Sequence, residues 1–231
     1  MLIMGHRGAP EAAPENSLAG FAAAAAMGAA GVELDVRRTA DGAMALSHDD
    51  TLADGRVVVE HTMADLAGSL TDLASALDVC APLDYVNIEI KNWPDDRDWD
   101  PGAAVVEAVV ALLAARGELD SPRYLVSAFH LGTLDRVHEL APALATGWLL
   151  GLVDDPAPLV EKAAEHGHSA VHPHHVFVNE AFVERAHGSG LQLNTWTCND
   201  PDRIRWLAQL GVDALITDHP DLALAALADQ S

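Results

Sequence analysis

The sequence predicts a closed (β/α)8 TIM barrel occupying a single domain, residues 1–231. Three observations carry that expectation. Apolar strand patterns alternate with helical patterns, with no break in composition. Eight such units of about thirty residues approach the ~250 residues typical of this barrel. The turn after the first strand, Gly5-His6-Arg7-Gly8, lacks the glycine pattern that a dinucleotide-binding open sheet places there. Strand followed by helix, repeated, implies parallel pairing, because each helix carries the chain back across the sheet.

Taken in order, the Leu-Ile-Met run at 2–5 reads as a short buried strand. Asn16-Ser17 opens an Ala-rich helix over 17–27, with Phe21 as its anchor. Val32-Glu33-Leu34-Asp35-Val36 alternates strictly, so the strand at 31–37 turns both acids to one face and the aliphatic residues to the other. An irregular stretch, 49–83, follows a β-ribbon near 43–47. It holds two short helical patterns, 63–66 and 73–77, and too little apolar material for a separate domain, so it is expected to be a small insertion covering the barrel mouth. The strand at 85–90 repeats the alternation and aligns Asn87, Glu89 and Lys91. Further strands are expected at 124–128, 145–150, 169–172, 191–196 and 213–217, and helices at 103–116, 131–140, 157–166, 180–188, 201–210 and 222–227. Gly28, Gly117, Gly167, Gly188 and Gly211 sit where helices close.

Half of the residues are hydrophobic but only 5% are aromatic, so the core must be built mainly from Ala, Val and Leu. Thirteen basic residues face 35 acidic ones, for a net charge of −22. Such a surface repels nucleic acid and anionic membranes, both of which need basic patches, and an anionic ligand would need a local cation cluster. Cys80 and Cys198 are far apart and in no paired motif, which fits a reducing compartment. With no basic leader before the first strand and no apolar stretch of membrane-spanning length, the expectation is a soluble, cytoplasmic protein.

In such a barrel, the residues at the carboxyl ends of the strands converge on one mouth. Here they include His6, Arg7, Glu33, Asp35, His48, Glu89, Lys91, Ser127, His172, Trp196 and Asp218. Two acids pointing the same way from one strand repel each other unless a cation lies between them. Glu33, Asp35 and Glu89 form an all-oxygen set, which selects one hard divalent cation, Mg2+ or Ca2+, over zinc. Arg7 and Lys91 supply local positive charge, and a metal with Arg and Lys makes a phosphate site. His6 and His48 could then share general acid/base work on a phosphoester, one taking a proton from the attacking hydroxyl and the other giving one to the leaving oxygen.

Gly5-His6-Arg7-Gly8, Pro14-Glu15-Asn16-Ser17, Glu33-Leu34-Asp35-Val36, Asp41-Gly42, His48-Asp49, Glu89-Ile90-Lys91, Trp196-Thr197-Cys198-Asn199 and the run from Gly211 to Pro220 occur in this order. Together they resemble the glycerophosphodiester phosphodiesterase family over nearly the whole chain. The resemblance implies His6 and His48 as catalytic histidines, Glu33, Asp35 and Glu89 as metal ligands, Arg7 and Lys91 as phosphate contacts, and Trp196 as an aromatic residue near the substrate. It also implies cleavage of a small-molecule glycerophosphodiester to glycerol 3-phosphate and an alcohol, through attack of the glycerol 2-hydroxyl and a cyclic phosphate. The chain departs from the family pattern at Ala53-Asp54-Gly55-Arg56, where an arginine and threonines are usual, and at Cys198, where valine is common.

Two other readings compete: a related phospholipase acting on lysophospholipids or phosphoinositides, which needs an apolar or basic rim and against which the short insertion and acidic surface argue, and a catalytically silent binding barrel, which would have lost a histidine or a carboxylate, whereas all are present. Trp93 and Trp99 lie in an acidic loop, 92–101, expected to meet the leaving alcohol and to favour cationic or neutral groups. His166, His168, His174 and His175 read as turn and loop residues and not as a converging ligand set, whereas His172 is expected to line the mouth.

Overall fold

The computed structural model describes residues 1–228. Eight parallel strands close into a barrel: β1 (Leu2–Gly5), β2 (Gly31–Arg38), β5 (Tyr85–Ile90), β6 (Tyr124–Ala128), β7 (Ala145–Leu150), β8 (Ala170–Pro173), β9 (Gln192–Thr195) and β10 (Ala214–Thr217). Each pairs with the next, and β1 pairs with both β10 and β2, so the barrel has no free edge. The helices α1 (Leu18–Met27), α2 (Leu73–Val79), α3 (Ala104–Ala115), α4 (Leu131–Leu140), α5 (Ala157–Glu165), α6 (Glu180–Gly188), α7 (Pro201–Leu210) and α8 (Pro220–Ala228) follow the strands one for one. The strand–helix alternation read from the sequence is therefore the architecture.

Two apolar clusters divide the molecule according to the period of two. Ile3, Val32, Leu34, Val36, Val86, Ile88 and Leu215 face the helices and join Phe21, Val106 and Leu113 in the main core. Met4, Ala214 and Ile216, the alternate positions of β1 and β10, form a second cluster with Trp196 inside the barrel. Buried polar residues, Asn87, Ser127, His172 and Asn194, come from β5, β6, β8 and β9. His172 is among them: it pairs with the Asn194 side chain at 3.0 Å and does not reach the mouth cavities. Full burial drives its pKa down to about 3, which keeps the ring neutral.

The insertion adds two short strands antiparallel to the end of β2, β3 (Met44–Leu46) and β4 (Thr71–Asp72), and carries its own small cluster of Ala45, Val58 and Leu66. The helix expected at 63–66 is instead a turn. Only one i to i−4 backbone bond, Leu66 N–H to Thr62, forms among shorter turn bonds before Gly68 takes a left-handed conformation, and one turn does not propagate. At the other site of disagreement, Gly188 is the last helical residue of α6, and Gly190 adopts the positive φ two residues later. Pro220 at the start of α8 extends that helix two residues earlier than expected, consistent with the preference of proline for the first helical turn. Among the described residues, no helix is long and apolar enough to cross a membrane.

Close backbone packing makes Gly31 a sensitive point. A Cβ there would lie 2.4 Å from the Tyr85 carbonyl oxygen of the neighbouring strand, a backbone atom held by the sheet. Gly31→Ala is expected to destabilise the barrel by about 1–3 kcal/mol through overpacking. Urea unfolding checks this; an unchanged midpoint would mean that β2 and β5 can separate without loss.

Candidate active site

The period of two continues from the sequence into the site. Along β2, Glu33, Asp35 and Arg37 are buried on one side, and β5 brings Asn87 opposite Glu33 and Glu89 opposite Asp35. Two carboxylates directly across a parallel pair repel. Lys91, just past β5, lies between them and forms ion pairs with Asp35 at 2.9 Å and with Glu89. Arg7, at the end of β1, meets Asp35 at 3.2 Å from the other side and also pairs with Glu15. Burial alone would raise the Asp35 pKa, but Lys91 and Arg7 more than offset it and hold the carboxyl at about 2.

Glu33 has the opposite fate. Burial, followed by the neighbouring Asp35 and Glu89 charges, pushes its pKa well above the ordinary carboxylate range. One of its oxygens accepts from the Arg7 backbone N–H at 3.0 Å, while the other is buried without a protein partner. Glu33, Asp35 and Glu89 each offer an oxygen within 4.8 Å of the others. An orphaned carboxylate oxygen in an all-oxygen set of this size fits a hard divalent cation.

The two histidines flank this cluster. His6 follows β1, its N–H bonded to Thr217. Its Nδ1 meets Asp218 at 2.6 Å, and Asn199 donates to the other oxygen of Asp218. The His6 contact lowers the Asp218 pKa and keeps that carboxylate charged. His48 lies beyond β3, its Nδ1 at 2.7 Å from Asp49. Each ring thus has Nδ1 engaged by a carboxylate, leaving Nε2 available. A cavity of about 80 Å3 is lined by His6, Arg7, Glu33, His48, Glu89, Lys91 and Trp196. Asp35 lies behind this surface, so the expected site residues come together around the cavity with Asp35 behind its wall. The Trp196 indole N–H donates to the His172 carbonyl at 2.7 Å, so this residue presents only its apolar ring to the cavity.

Several supporting residues went unread in the sequence. The sequence places Asn16 at a helix start, yet Ser17 is the cap. Asn16 instead adopts φ 53° and binds Asp35 twice, its amide donating at 2.9 Å and its carbonyl accepting the Asp35 N–H at 3.1 Å. Arg37 donates to the His48 carbonyl at 3.0 and 2.7 Å and is itself held by Asp96 and Asp98. Extending the 33, 35 alternation by one step would have flagged Arg37 as inward-facing. The acids expected to confront the leaving alcohol are therefore partly committed: Asp98 is buried against Arg37, and Asp96 shares it. Trp99 packs edge-on to His130 at 4.9 Å, and Trp93 lines a second, larger cavity of about 820 Å3 that opens from the first and shares His48, Glu89 and Lys91 with it.

The state of Glu33 yields a stability test. Its raised pKa means that the folded protein holds a proton more tightly than the unfolded chain does. For this group, stability is greatest below the ordinary carboxylate range and falls as pH rises through the folded pKa. Glu33→Gln is therefore expected to raise the Tm of chelator-stripped protein at neutral pH, with the gain shrinking on acidification. Added Mg2+ or Ca2+ should stabilise the unsubstituted chain more than the variant. Matching melting curves at every pH would refute this.

A sequence model described as the glycerophosphoryl diester phosphodiesterase family matches residues 6–222. A glycerophosphodiester phosphodiesterase of Caldanaerobacter subterraneus is 28% identical over 243 residues, covering 95% of each chain. The crystal structure of a glycerophosphodiester phosphodiesterase from Thermotoga maritima superposes with a TM-score of 0.82 at 26% identity, covering 97% of each chain. An Oleispira antarctica phosphodiesterase in complex with the product sn-glycerol-3-phosphate superposes with a TM-score of 0.84 at 25% identity, covering 99% of this chain and 97% of that one. A matching family model over nearly the whole length, agreement of fold with solved members, and a polar strand-end cavity built from the same ordered motifs lead to one conclusion: the chain belongs to the glycerophosphoryl diester phosphodiesterase family, a family of phosphoric diester hydrolases.

Proposed function

We propose that this protein hydrolyses glycerophosphodiesters to glycerol 3-phosphate and an alcohol by histidine acid/base chemistry at the small cavity. The observation that carries this reading is the pairing of His6 and His48, each with Nδ1 on a carboxylate, around a pocket that also holds Arg7, Lys91 and buried acids. A neutral imidazole whose Nδ1–H is held by Asp presents Nε2 as a base, and its protonated form is an acid stabilised by the same Asp. One ring takes the proton of the glycerol 2-hydroxyl as that oxygen attacks phosphorus, and the other gives a proton to the departing alkoxide. A cyclic phosphate results, and water opens it with the histidine roles exchanged. Arg7 and Lys91 neutralise the phosphoryl oxygens, and Asn16 and Glu15 keep Asp35 and Arg7 in position. Glu33, Asp35 and Glu89 would hold one divalent cation, Mg2+ or Ca2+, which when bound supplies charge stabilisation at the phosphate. The chain would act as one barrel domain in the cytoplasm on a small-molecule substrate, with 49–83 forming part of the mouth.

A second substrate class is favoured by one observation. The larger cavity has an apolar side made by Phe129, Trp148, Leu149, Leu150, Leu152 and Val153, of which Leu152 and Val153 are solvent-exposed. That is the apolar rim a lysophospholipid or another amphiphilic diester would need.

Release of glycerol 3-phosphate from a panel of glycerophosphodiesters, with and without chelator, tests the main reading; full turnover in excess chelator would remove the cation from it. His6→Ala and His48→Ala should each slow turnover by ~10²-fold or more. The double variant should lose far less than the product of the two, because the residues act as a unit. With a p-nitrophenyl ester, whose leaving group needs no proton, only the variant lacking the general acid should recover. Equal recovery of both would contradict a division of labour. Within the same panel, Trp93→Ala and Leu152→Asp should depress turnover of amphiphilic diesters more than that of glycerophosphocholine. An unchanged ranking would leave the larger cavity without a role in selection.

A further inference from the structure

A second group of potential ligands lies on the far side of the barrel, away from the mouth. Asp135 projects from α4, and His166 and His168 come from the connection between α5 and β8. That connection lies at the amino end of β8, so the cluster belongs to the face of the barrel opposite the active site. The ligand atoms of the three side chains lie within 4.8 Å of one another. His166 Nδ1 is 2.8 Å from Asp135 Oδ1, and His168 Nε2 is 3.6 Å from the same oxygen.

His168 is the informative member. Its side chain is completely buried, and its Nδ1 is paired with the Thr146 hydroxyl at 3.0 Å. Its Nε2, aimed at Asp135 and His166, has no hydrogen-bond partner. A buried histidine with one nitrogen anchored by a neighbour and the other left open is how proteins present an imidazole to a metal. Gly167, between the two histidines, adopts φ +80°, and a Cβ there would lie 3.4 Å from His138 Nε2. His138 stands one turn beyond Asp135 on α4, beside this loop but outside the converging group. The loop by itself shows no converging ligand set in the sequence, because Asp135 arrives from a different helix.

We propose that Asp135, His166 and His168 form a site for Zn2+ that ties α4 to the α5–β8 connection. Two imidazole nitrogens and one carboxylate, with a fourth position open to water, suit zinc, whereas the all-oxygen set at the mouth suits a hard cation.

The test titrates the chelator-stripped full-length chain with Zn2+ by calorimetry and follows its melting temperature. Glu89→Gln weakens the mouth site, so zinc binding that persists in that variant, with a rise in Tm, is expected. Adding His166→Gln or Asp135→Asn to Glu89→Gln should weaken zinc binding by at least ~10-fold and abolish the rise in Tm. His166 is partly exposed, so its substitution carries the test without the folding risk of replacing His168. Turnover of His166→Gln alone should equal that of the unsubstituted chain. Absence of zinc binding in Glu89→Gln, or unchanged affinity after adding both ligand substitutions, overturns the proposal and leaves His166–Asp135 as an ordinary ion pair.

Discussion

The position of Lys91 between Asp35 and Glu89 is the interaction on which the mouth of this barrel depends. Strand register alone sets those two carboxylates face to face on β2 and β5, buried and repelling. Removing charges from water costs several kcal/mol per ion unless each finds good partners. Lys91 is charged despite its burial because the two acids more than compensate, and its pKa is raised accordingly. Arg7 closes the cluster from β1, and Asn16 caps the free side of Asp35. Three strands are thereby locked by charge at the point where they emerge from the sheet, and Glu33 is the one acid left with an unmatched oxygen.

This cluster also accounts for two of the three non-glycine left-handed positions among the described residues. Arg7 and Asn16 both adopt left-handed conformations, with φ of 54° and 53°. Such positions cost about 1–3 kcal/mol each for residues other than glycine, and they persist only when the surroundings over-determine them. Here they do. The Arg7 N–H binds Glu33, the Asn16 N–H binds the Arg7 carbonyl, and the Asn16 side chain grips Asp35 through both its amide and its carbonyl. The strain aims the Arg7 guanidinium and the His6 ring at one pocket from adjacent positions in the chain.

Outside that pocket, the same acidic composition is used for architecture. Asp96 and Asp98 of the loop after β5 hold the buried Arg37, which in turn holds the His48 carbonyl. A histidine on an otherwise exposed loop is thus tied to a barrel strand through one guanidinium, whose planar fork suits two carboxylates and a carbonyl at once. With those acids committed, the outer cavity takes its character from the apolar residues after β7 more than from the acidic loop.

The sequence by itself determined the barrel and most of the residues that meet at its mouth, because both rest on local rules; His172, which it also placed there, is buried inside the barrel. A period of two declares which strand residues share a face, glycines and caps mark where helices end, and parallel order follows from strand–helix alternation. His6, Glu33, Asp35, His48, Glu89 and Lys91 all lie at predictable strand ends. What only the tertiary structure decided are contacts between residues distant in the chain, for which no local period exists. Asp218 reaches His6 from the opposite end of the sequence, Arg37 reaches His48 across a hairpin, and Asp135 reaches His166 from a neighbouring helix. Which acid is neutralised and which is left bare is likewise a matter of register and burial. Asp35 and Glu33 stand two residues apart on one strand, yet Asp35 meets the Lys91 and Arg7 side chains directly and its pKa is held down, while burial pushes that of Glu33 up.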